Sequence, residues 1–169
     1  MNLPVVAVIG LGAMGHAFAS NLLKKGFTVH GWNRSPERGE DLMASGLIRH
    51  ATPQQAAASA EVILSVLTDG EATLNAIREM APVCQPDAVF CQMGTIGVEE
   101  TQEAVDLRRF VHRWSILMLR CREPKNRRKM RKFWCLPAGI VSEAQRPRAS
   151  LPRLRAAHNG LVMPATARK

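Results

Sequence analysis

Three glycines near the N-terminus have the spacing of a phosphate-binding turn. Gly10, Gly12 and Gly15 follow the apolar run Val5–Ile9 and precede a helical pattern of apolar residues. In such a turn the first glycine permits the tight bend and the second lets the backbone approach a pyrophosphate. The third lets the helix pack close to the strand. The helix start offers free N–H groups and the positive end of its dipole to the phosphates. The spacing therefore predicts a dinucleotide-binding turn.

The residues after the second apolar run, Phe27–Trp32, favour NADP over NAD. An NAD site has an acidic residue at this position, which binds the ribose hydroxyls. This chain has Asn33, Arg34 and Ser35 instead. A guanidinium keeps its charge at every physiological pH and, with two small polar side chains, suits a 2′-phosphate. The alternative is that Arg34 is a solvated loop arginine and contacts no cofactor.

The elements that must position these residues alternate between strands and helices. Alternating elements with short joints imply a parallel sheet with right-handed crossovers. The predicted fold class is therefore α/β, a Rossmann-type doubly wound parallel sheet that is incomplete and occupies residues 1–107. We expect strands at residues 5–9, 27–32, 47–51, 61–67 and 88–93, and helices at residues 14–25, 35–44, 52–58, 69–80 and 99–107.

The charge of the chain changes sign near residue 107. Residues 1–106 contain 6 Lys and Arg against 12 Asp and Glu, whereas residues 107–169 contain 17 against 2, and the whole chain is at +9. The run RRKMRK at 127–132 and four prolines between 137 and 164 predict a poorly ordered basic tail over residues 108–169. Because the positive charge belongs to a tail and not to a folded surface, nucleic acid is not favoured as a partner.

Other classes of protein are disfavoured by composition. No apolar run reaches the roughly 18 residues of a membrane span, and the N-terminus lacks a signal-peptide pattern, so we expect a cytoplasmic protein with no membrane partner. The four cysteines have no zinc-ligand spacing, and we predict no metal site.

The segment IGLGAMGHAFASNLLKKGFTVHGWNRSPER, at 9–38, resembles the N-terminus of the β-hydroxyacid dehydrogenases, the family of 3-hydroxyisobutyrate dehydrogenase. The cofactor domain of that family is shared with 6-phosphogluconate dehydrogenase. Leu67-Thr68-Asp69 is similar to the family's Leu-Pro-Asp-like turn, and MGTIGVEET at 93–101 is similar to its (S/T)-T-I motif. The resemblance covers about residues 4 to 106. It implies an oxidoreductase whose intact relatives act on a small hydroxyacid, and it leaves a homo-oligomer open.

The resemblance also implies which residues contact the cofactor. The glycine turn would hold the pyrophosphate, the residues after the second strand would hold the adenosine end, and Leu67 and Thr68 would line the ribose. Thr95 would lie near the nicotinamide. Thr68 replaces the proline that is usual in the family. The predicted cofactor-binding residues are Gly10, Leu11, Gly12, Ala13, Met14, Gly15, Asn33, Arg34, Ser35, Leu67, Thr68 and Thr95.

Two further elements of the family are not found in this sequence. One is a substrate-binding segment of the form DAPVSG, and the other is a lysine on a long helix that acts as the acid/base. We therefore expect NADP binding without full catalytic activity, and we predict no catalytic residue. Two alternatives stay open: an active reductase that takes its substrate domain from another subunit, and a module whose basic tail binds nucleic acid.

A shifted reading frame would account for the tail. In this frame each codon consists of the third base of one printed codon and the first two bases of the next. Met118-Leu119 then gives Ala with a CTN leucine, and Met130-Arg131 gives Ala with a CGN arginine. Trp134-Cys135 gives Val. For the other shifted codons we chose the first base among those that the printed residue allows, and residues 117–140 can then be read as DAPVSGTKEPAENAEILVFASGD. This string resembles the missing family segment, and we hypothesise a frameshift near residues 107 to 110.

Overall fold

The computed structural model describes residues 3–107 and the backbone of two later strands, at 115–122 and 134–140. Strands and helices alternate through the first part of the chain, as the sequence predicted. The elements are β1 (Val6–Ile9), α1 (Ala13–Lys24), β2 (Val29–Trp32), α2 (Glu40–Met43), β3 (Ile48–Arg49), α3 (Pro53–Ala57), β4 (Val62–Ser65), α4 (Gly70–Met80), β5 (Val89–Gln92), α5 (Val98–Leu107), β6 (Ser115–Arg122) and β7 (Trp134–Ile140).

The strands form one sheet in the order β3-β2-β1-β4-β5-β6-β7. All neighbouring strands from β3 to β6 are parallel, and only β6 and β7 pair antiparallel. After β3 the chain crosses back to place β4 on the free side of β1, so the strand order reverses there. In open α/β sheets a ligand crevice lies at such a reversal, outside the carboxyl ends of the strands. At this edge Ile9 is flanked by Trp32 and Ser65.

Helices cover both faces of the sheet and complete two apolar cores. On one face, α1 buries Phe18 and Leu22 against the sheet. On the other, α3, α4 and α5 pack on the sheet, with Ile77 and Met80 of α4 almost fully enclosed. The strands β1, β4 and β5 are buried along their whole length, which explains why apolar residues and Cys91 fill them up to Ser65 and Gln92 at the ends of β4 and β5.

Local signals in the sequence explain where the helices start and stop. Gly26 ends α1 in the left-handed conformation, at φ 81°, and its N–H donates to Leu23 O at 2.9 Å. The Thr52 hydroxyl accepts from the N–H of Gln55 at 3.3 Å and so caps α3. These two helix ends agree with the sequence prediction.

One predicted helix is much shorter than expected. The sequence favoured a start at Ser35-Pro36, but residues 36–39 form turns and α2 begins only at Glu40. Gly39 explains the difference, because its φ of 81° is left-handed and interrupts a right-handed helix. A Cβ on Gly39 would also lie 2.7 Å from the Leu11 side chain, so the turn is packed against the glycine loop.

Two strands lie within the stretch 108–169, for which the sequence predicts a poorly ordered basic tail and no particular element. The backbone of β6 adds to the parallel sheet beside β5, and that of β7 pairs with β6. An edge strand such as β5 presents unpaired backbone N–H and C=O groups, and β6 pairs with them. The basic run at 127–132 and the remainder of 108–169 lie outside the described residues.

Two histidines join the edge strand β3 to β2. His50 Nε2 lies 2.9 Å from His30 Nδ1, and the two rings stack with centroids 4.9 Å apart. Burial lowers the pKa of His30, as does the neighbouring His50 ring, and burial also lowers the pKa of His50. The hydrogen bond requires one ring nitrogen to donate and the other to accept, which two neutral imidazoles satisfy.

Candidate functional site

The turn from β1 to α1 requires glycine at two of its three glycine positions. Gly10 has a φ of 99°, and a Cβ there would lie 2.5 Å from Val66 O. Gly15 is buried, and a Cβ there would overlap Gly10 O. The first glycine therefore permits a left-handed bend against the β4 loop, and the third permits the helix to approach the bend.

Gly12 differs from the other two glycines because open space surrounds it. Its φ is −66°, and no atom lies within 4 Å of a Cβ built there. Gly12 is the N-cap of α1 and makes no side-chain cap bond, and the first turn of α1 contains no acidic residue. The N–H groups of that turn have no partner within the helix, so they form a cradle for an anion.

Asn33 ties the end of β2 to the glycine loop. Its Oδ1 accepts from the N–H of Leu11 at 2.9 Å, and its Nδ2 donates to Ser35 O at 3.1 Å. Both ends of the amide are thus bound to backbone. The structure gives Asn33 a role in positioning the loop, and a contact with adenosine stays a prediction.

Arg34 and Ser35 lie on the loop after β2, at the same sheet edge. Arg34 is exposed and Ser35 is half-buried. Within residues 3–107, no hydrogen bond or ion pair holds the Arg34 guanidinium. The Arg34 charge contributes to lowering the pKa of Asp69, which lies on the loop after β4. The guanidinium therefore stands at the rim of the crevice, available to an anionic group.

The loop after β4 holds Leu67, Thr68 and Asp69. Leu67 is half-buried, and its Cδ2 would lie 3.1 Å from a Cβ on Gly10. The Thr68 hydroxyl donates to Asp69 Oδ2 at 2.8 Å, and Asp69 Oδ1 accepts from the N–H of Ala72 at 2.8 Å. The Ala72 bond, the Thr68 bond and the charge of Arg34 lower the pKa of Asp69. Asp69 therefore caps α4 as a carboxylate, and sequence reasoning did not include it in the site.

The loop after β5 reaches the β4 loop through a glycine that sequence reasoning missed. A Cβ on Gly94 would lie 2.6 Å from Leu67 O. The next residue, Thr95, is exposed at this edge. The sequence contained a signal for this residue, because Gly94 immediately precedes the predicted Thr95. The close approach of Gly94 to the β4 loop, however, depends on the strand order. The structure thus brings the three loops after β1, β4 and β5 into contact.

The thiols of the described residues do not contribute reactive groups to this site. Burial raises the pKa of both Cys84 and Cys91 to about 12, so both stay protonated near neutral pH. Among residues 3–107, no group of three or more His, Cys, Asp or Glu side chains could hold a metal ion. None of the helices in the described part is both long and apolar enough to span a membrane.

The fold and the site define a class of protein. A parallel sheet with the strand order 3-2-1-4-5, a glycine turn at the end of its first strand and an open helix N-terminus together form a Rossmann-type dinucleotide-binding domain.

Comparisons with known proteins narrow the class. The sequence pattern of the NAD binding domain of 6-phosphogluconate dehydrogenase matches residues 5–111. The chain belongs to this family. The resemblance stated from the sequence is confirmed.

Individual relatives agree with this assignment over the same region. The chain is 39% identical over 101 residues to an uncharacterized oxidoreductase of Bacillus subtilis, covering 58% of this chain and 35% of the relative. It is 34% identical over 103 residues to the 3-sulfolactaldehyde reductase of Escherichia coli, covering 59% and 35%. The chain thus spans about a third of the length of these relatives.

A solved structure supports the fold. The 3-hydroxyisobutyrate dehydrogenase of Mycobacterium tuberculosis, solved with L-serine, is similar with a TM-score of 0.80 at 21% identity. The match covers 95% of this chain and 52% of that one. The likeness therefore extends past the dinucleotide-binding turn to the whole sheet.

Proposed function

We propose that this chain binds NADP(H) in preference to NAD(H), as the cofactor domain of an oxidoreductase that acts on a small β-hydroxyacid or the matching aldehyde. The observation that carries the proposal is the exposed Arg34 on the loop that Asn33 ties to the glycine turn. An NAD site would have a carboxylate after β2, and this chain has Asn33 there.

The chain's own groups have distinct tasks in this proposal. The backbone from Gly10 to Met14 holds the pyrophosphate, and the N–H groups of Gly12, Ala13 and Met14 donate to it, because those of Gly10 and Leu11 are bound to Trp32 O and Asn33 Oδ1. Gly15 keeps α1 close enough for this contact. Arg34 and Ser35 bind the adenosine end, and Arg34 pairs with the 2′-phosphate. Leu67 and Thr68 line the ribose. Asn33 fixes the distance between the glycine turn and the loop of Arg34 and Ser35 through its bond to Leu11.

The nicotinamide end is assigned to the loop after β5. Thr95 lies exposed at the edge where that loop meets Leu67, and it would lie beside the nicotinamide ring. The bound cofactor supplies hydride transfer, whereas the protein supplies binding and orientation. The resemblance places the family's acid/base lysine on a long helix that is not found in this sequence, so we assign no catalytic residue.

Titration of the purified chain tests the proposal. We expect saturable quenching or enhancement of nucleotide fluorescence with NADPH, and binding of NADH at least about tenfold weaker, as one lost charge-assisted contact predicts. Equal affinities would refute the preference for NADP. Absence of binding to both nucleotides would refute the function.

We also propose that the tail is an out-of-frame translation of a dehydrogenase gene. The family match ends at residue 111, next to the proposed frameshift at 107 to 110. Such a frame change would replace the substrate-binding segment of the ancestral enzyme, and with it the dehydrogenase activity. Sequencing the gene tests this: codons for residues 117–140 that cannot encode the shifted string would refute it.

A further inference from the structure

A pair of buried polar side chains lies where β4 and β5 end. Ser65 and Gln92 are directly opposite each other in the parallel register. Their exposed fractions are 0% and 2%. Within the described residues, Ser65 Oγ and Gln92 Oε1 have no hydrogen-bond partner. Such unpaired groups are uncommon in folded proteins, because burial removes them from water without replacement.

The pair lies on the face of the sheet that α3, α4 and α5 cover. Ile63 and Phe90, two residues earlier on each strand, belong to the core on that face. Because side chains two apart on a strand share a face, Ser65 and Gln92 face the same way. An apolar side chain at position 92 would fill the same space and leave no polar atom unpaired. Stability alone therefore does not account for the amide of Gln92.

The amide nitrogen of Gln92 reaches forward to the cofactor edge. Gln92 Nε2 donates to Gly94 O at 3.3 Å. Gly94 in turn packs so close to the β4 loop that a Cβ would lie 2.6 Å from Leu67 O. The Gln92 amide nitrogen therefore restrains the backbone just before Thr95, while Gln92 itself is the last residue of β5.

We propose that Gln92 is a positioning residue for the nicotinamide half of the dinucleotide. Its bond to Gly94 O fixes the loop after β5 against the loop after β4, and this sets the place of Thr95. This inference rests on the proposed function, because it assigns the nicotinamide end to that loop. The Ser65 hydroxyl has no hydrogen-bond partner within the described residues, and only its backbone carbonyl meets the loop, where it accepts from the N–H of Met93 at 2.9 Å.

The test compares a whole dinucleotide with its adenosine half. In Gln92→Met, which keeps the volume and removes both polar ends, we expect NADPH to bind about threefold to tenfold more weakly, as the loss of one positioning hydrogen bond predicts. Affinity for 2′,5′-ADP should not change, because that ligand stops before the β5 loop. The Tm should stay the same or rise, because a buried unpaired oxygen is removed.

Controls separate positioning from folding. Ser65→Ala removes the other unpaired oxygen and should leave the affinity for both ligands unchanged. If Gln92→Met does not fold, Gln92→Leu removes the amide donor with a smaller apolar side chain and allows the same comparison. Equal NADPH affinity in the variant and the wild type, or equal weakening of both ligands, would overturn this inference alone. A wild-type chain that binds neither ligand would refute the proposed function and this inference with it.

Discussion

The Asn33 amide oxygen accepts a hydrogen bond from the backbone N–H of Leu11 at 2.9 Å, across 22 residues of chain. This bond links the end of β2 to the middle of the glycine turn. Its partner bond, from Nδ2 to Ser35 O, holds the loop that carries Arg34. The phosphate cradle and the adenosine loop are therefore fixed to each other by one side chain.

Replacement of Asn33 should disturb both stability and binding. In Asn33→Ala we expect a loss of about 1–3 kcal/mol in the free energy of unfolding, because two partly buried hydrogen bonds disappear. NADPH affinity should fall about tenfold or more, since the two halves of the site lose their common restraint. Denaturant unfolding and nucleotide titration measure the two effects. Asn75→Ala, which removes only an exposed hydrogen bond from Arg78 on α4, is the control: NADPH affinity should not change and stability should change by less than about 0.5 kcal/mol.

The glycines of the turn should respond differently to alanine. Gly15→Ala should cost about 3 kcal/mol or more of stability, because its Cβ would overlap Gly10 O. Gly12→Ala should cost only about 0.5–1 kcal/mol, the difference between glycine and alanine at an N-cap. Its Cβ would nevertheless enter the space assigned to the pyrophosphate, so NADPH binding should fall more than about tenfold. A folded Gly12→Ala chain that binds NADPH normally would contradict the placement of the pyrophosphate.

Arg34 should control cofactor preference without controlling stability. Because Arg34 is exposed, Arg34→Ala should leave the Tm unchanged within error. We expect NADPH to bind roughly 10- to 100-fold more weakly, as the loss of a charge-assisted contact predicts, and NADH affinity to stay the same. Arg38→Ala, an exposed arginine four residues later, is the matched control. An identical loss of NADPH and NADH affinity would show that Arg34 does not contact the 2′-phosphate.

The pair of His30 and His50 should make the domain sensitive to acid. Burial lowers the pKa of both rings below 6.5, the usual value for histidine. Below that value the unfolded chain therefore binds more protons than the folded chain, and the free energy of unfolding decreases as the pH falls from 6.5 towards the folded pKa values. Urea unfolding between pH 7.5 and 5 should show this decrease. Because burial is the leading cause, 0.5 M NaCl should not abolish it.

A variant without one of the two rings tests the assignment. His50→Gln should show a smaller decrease in stability over the same pH range, since one of the two titrating groups is gone. An unchanged pH profile in His50→Gln would mean that other groups cause the acid sensitivity. His30 remains partly buried in this variant, so some decrease should persist.

Local patterns in the sequence determined much of the fold. The apolar run of β1, the glycine spacing after it and the stop at Gly26 involve residues close in the chain, so their geometry follows from backbone sterics and helix periodicity. The alternation of strands and helices likewise required a parallel sheet. The change of charge near residue 107 also marked where the family match ends, at 111.

Only the tertiary structure decided which distant residues meet. The contact of Asn33 with adenosine, which the resemblance implies, stays a prediction, whereas its bond with the Leu11 N–H depends on β1 and β2 being neighbours. The contact of Gly94 with Leu67 and the pairing of Ser65 with Gln92 depend on β4 and β5 being neighbours in register. The left-handed turn at Gly39 and the strand β6 also escaped prediction. Short-range spacing encodes the shape of each element, whereas long-range packing selects the contacts between them.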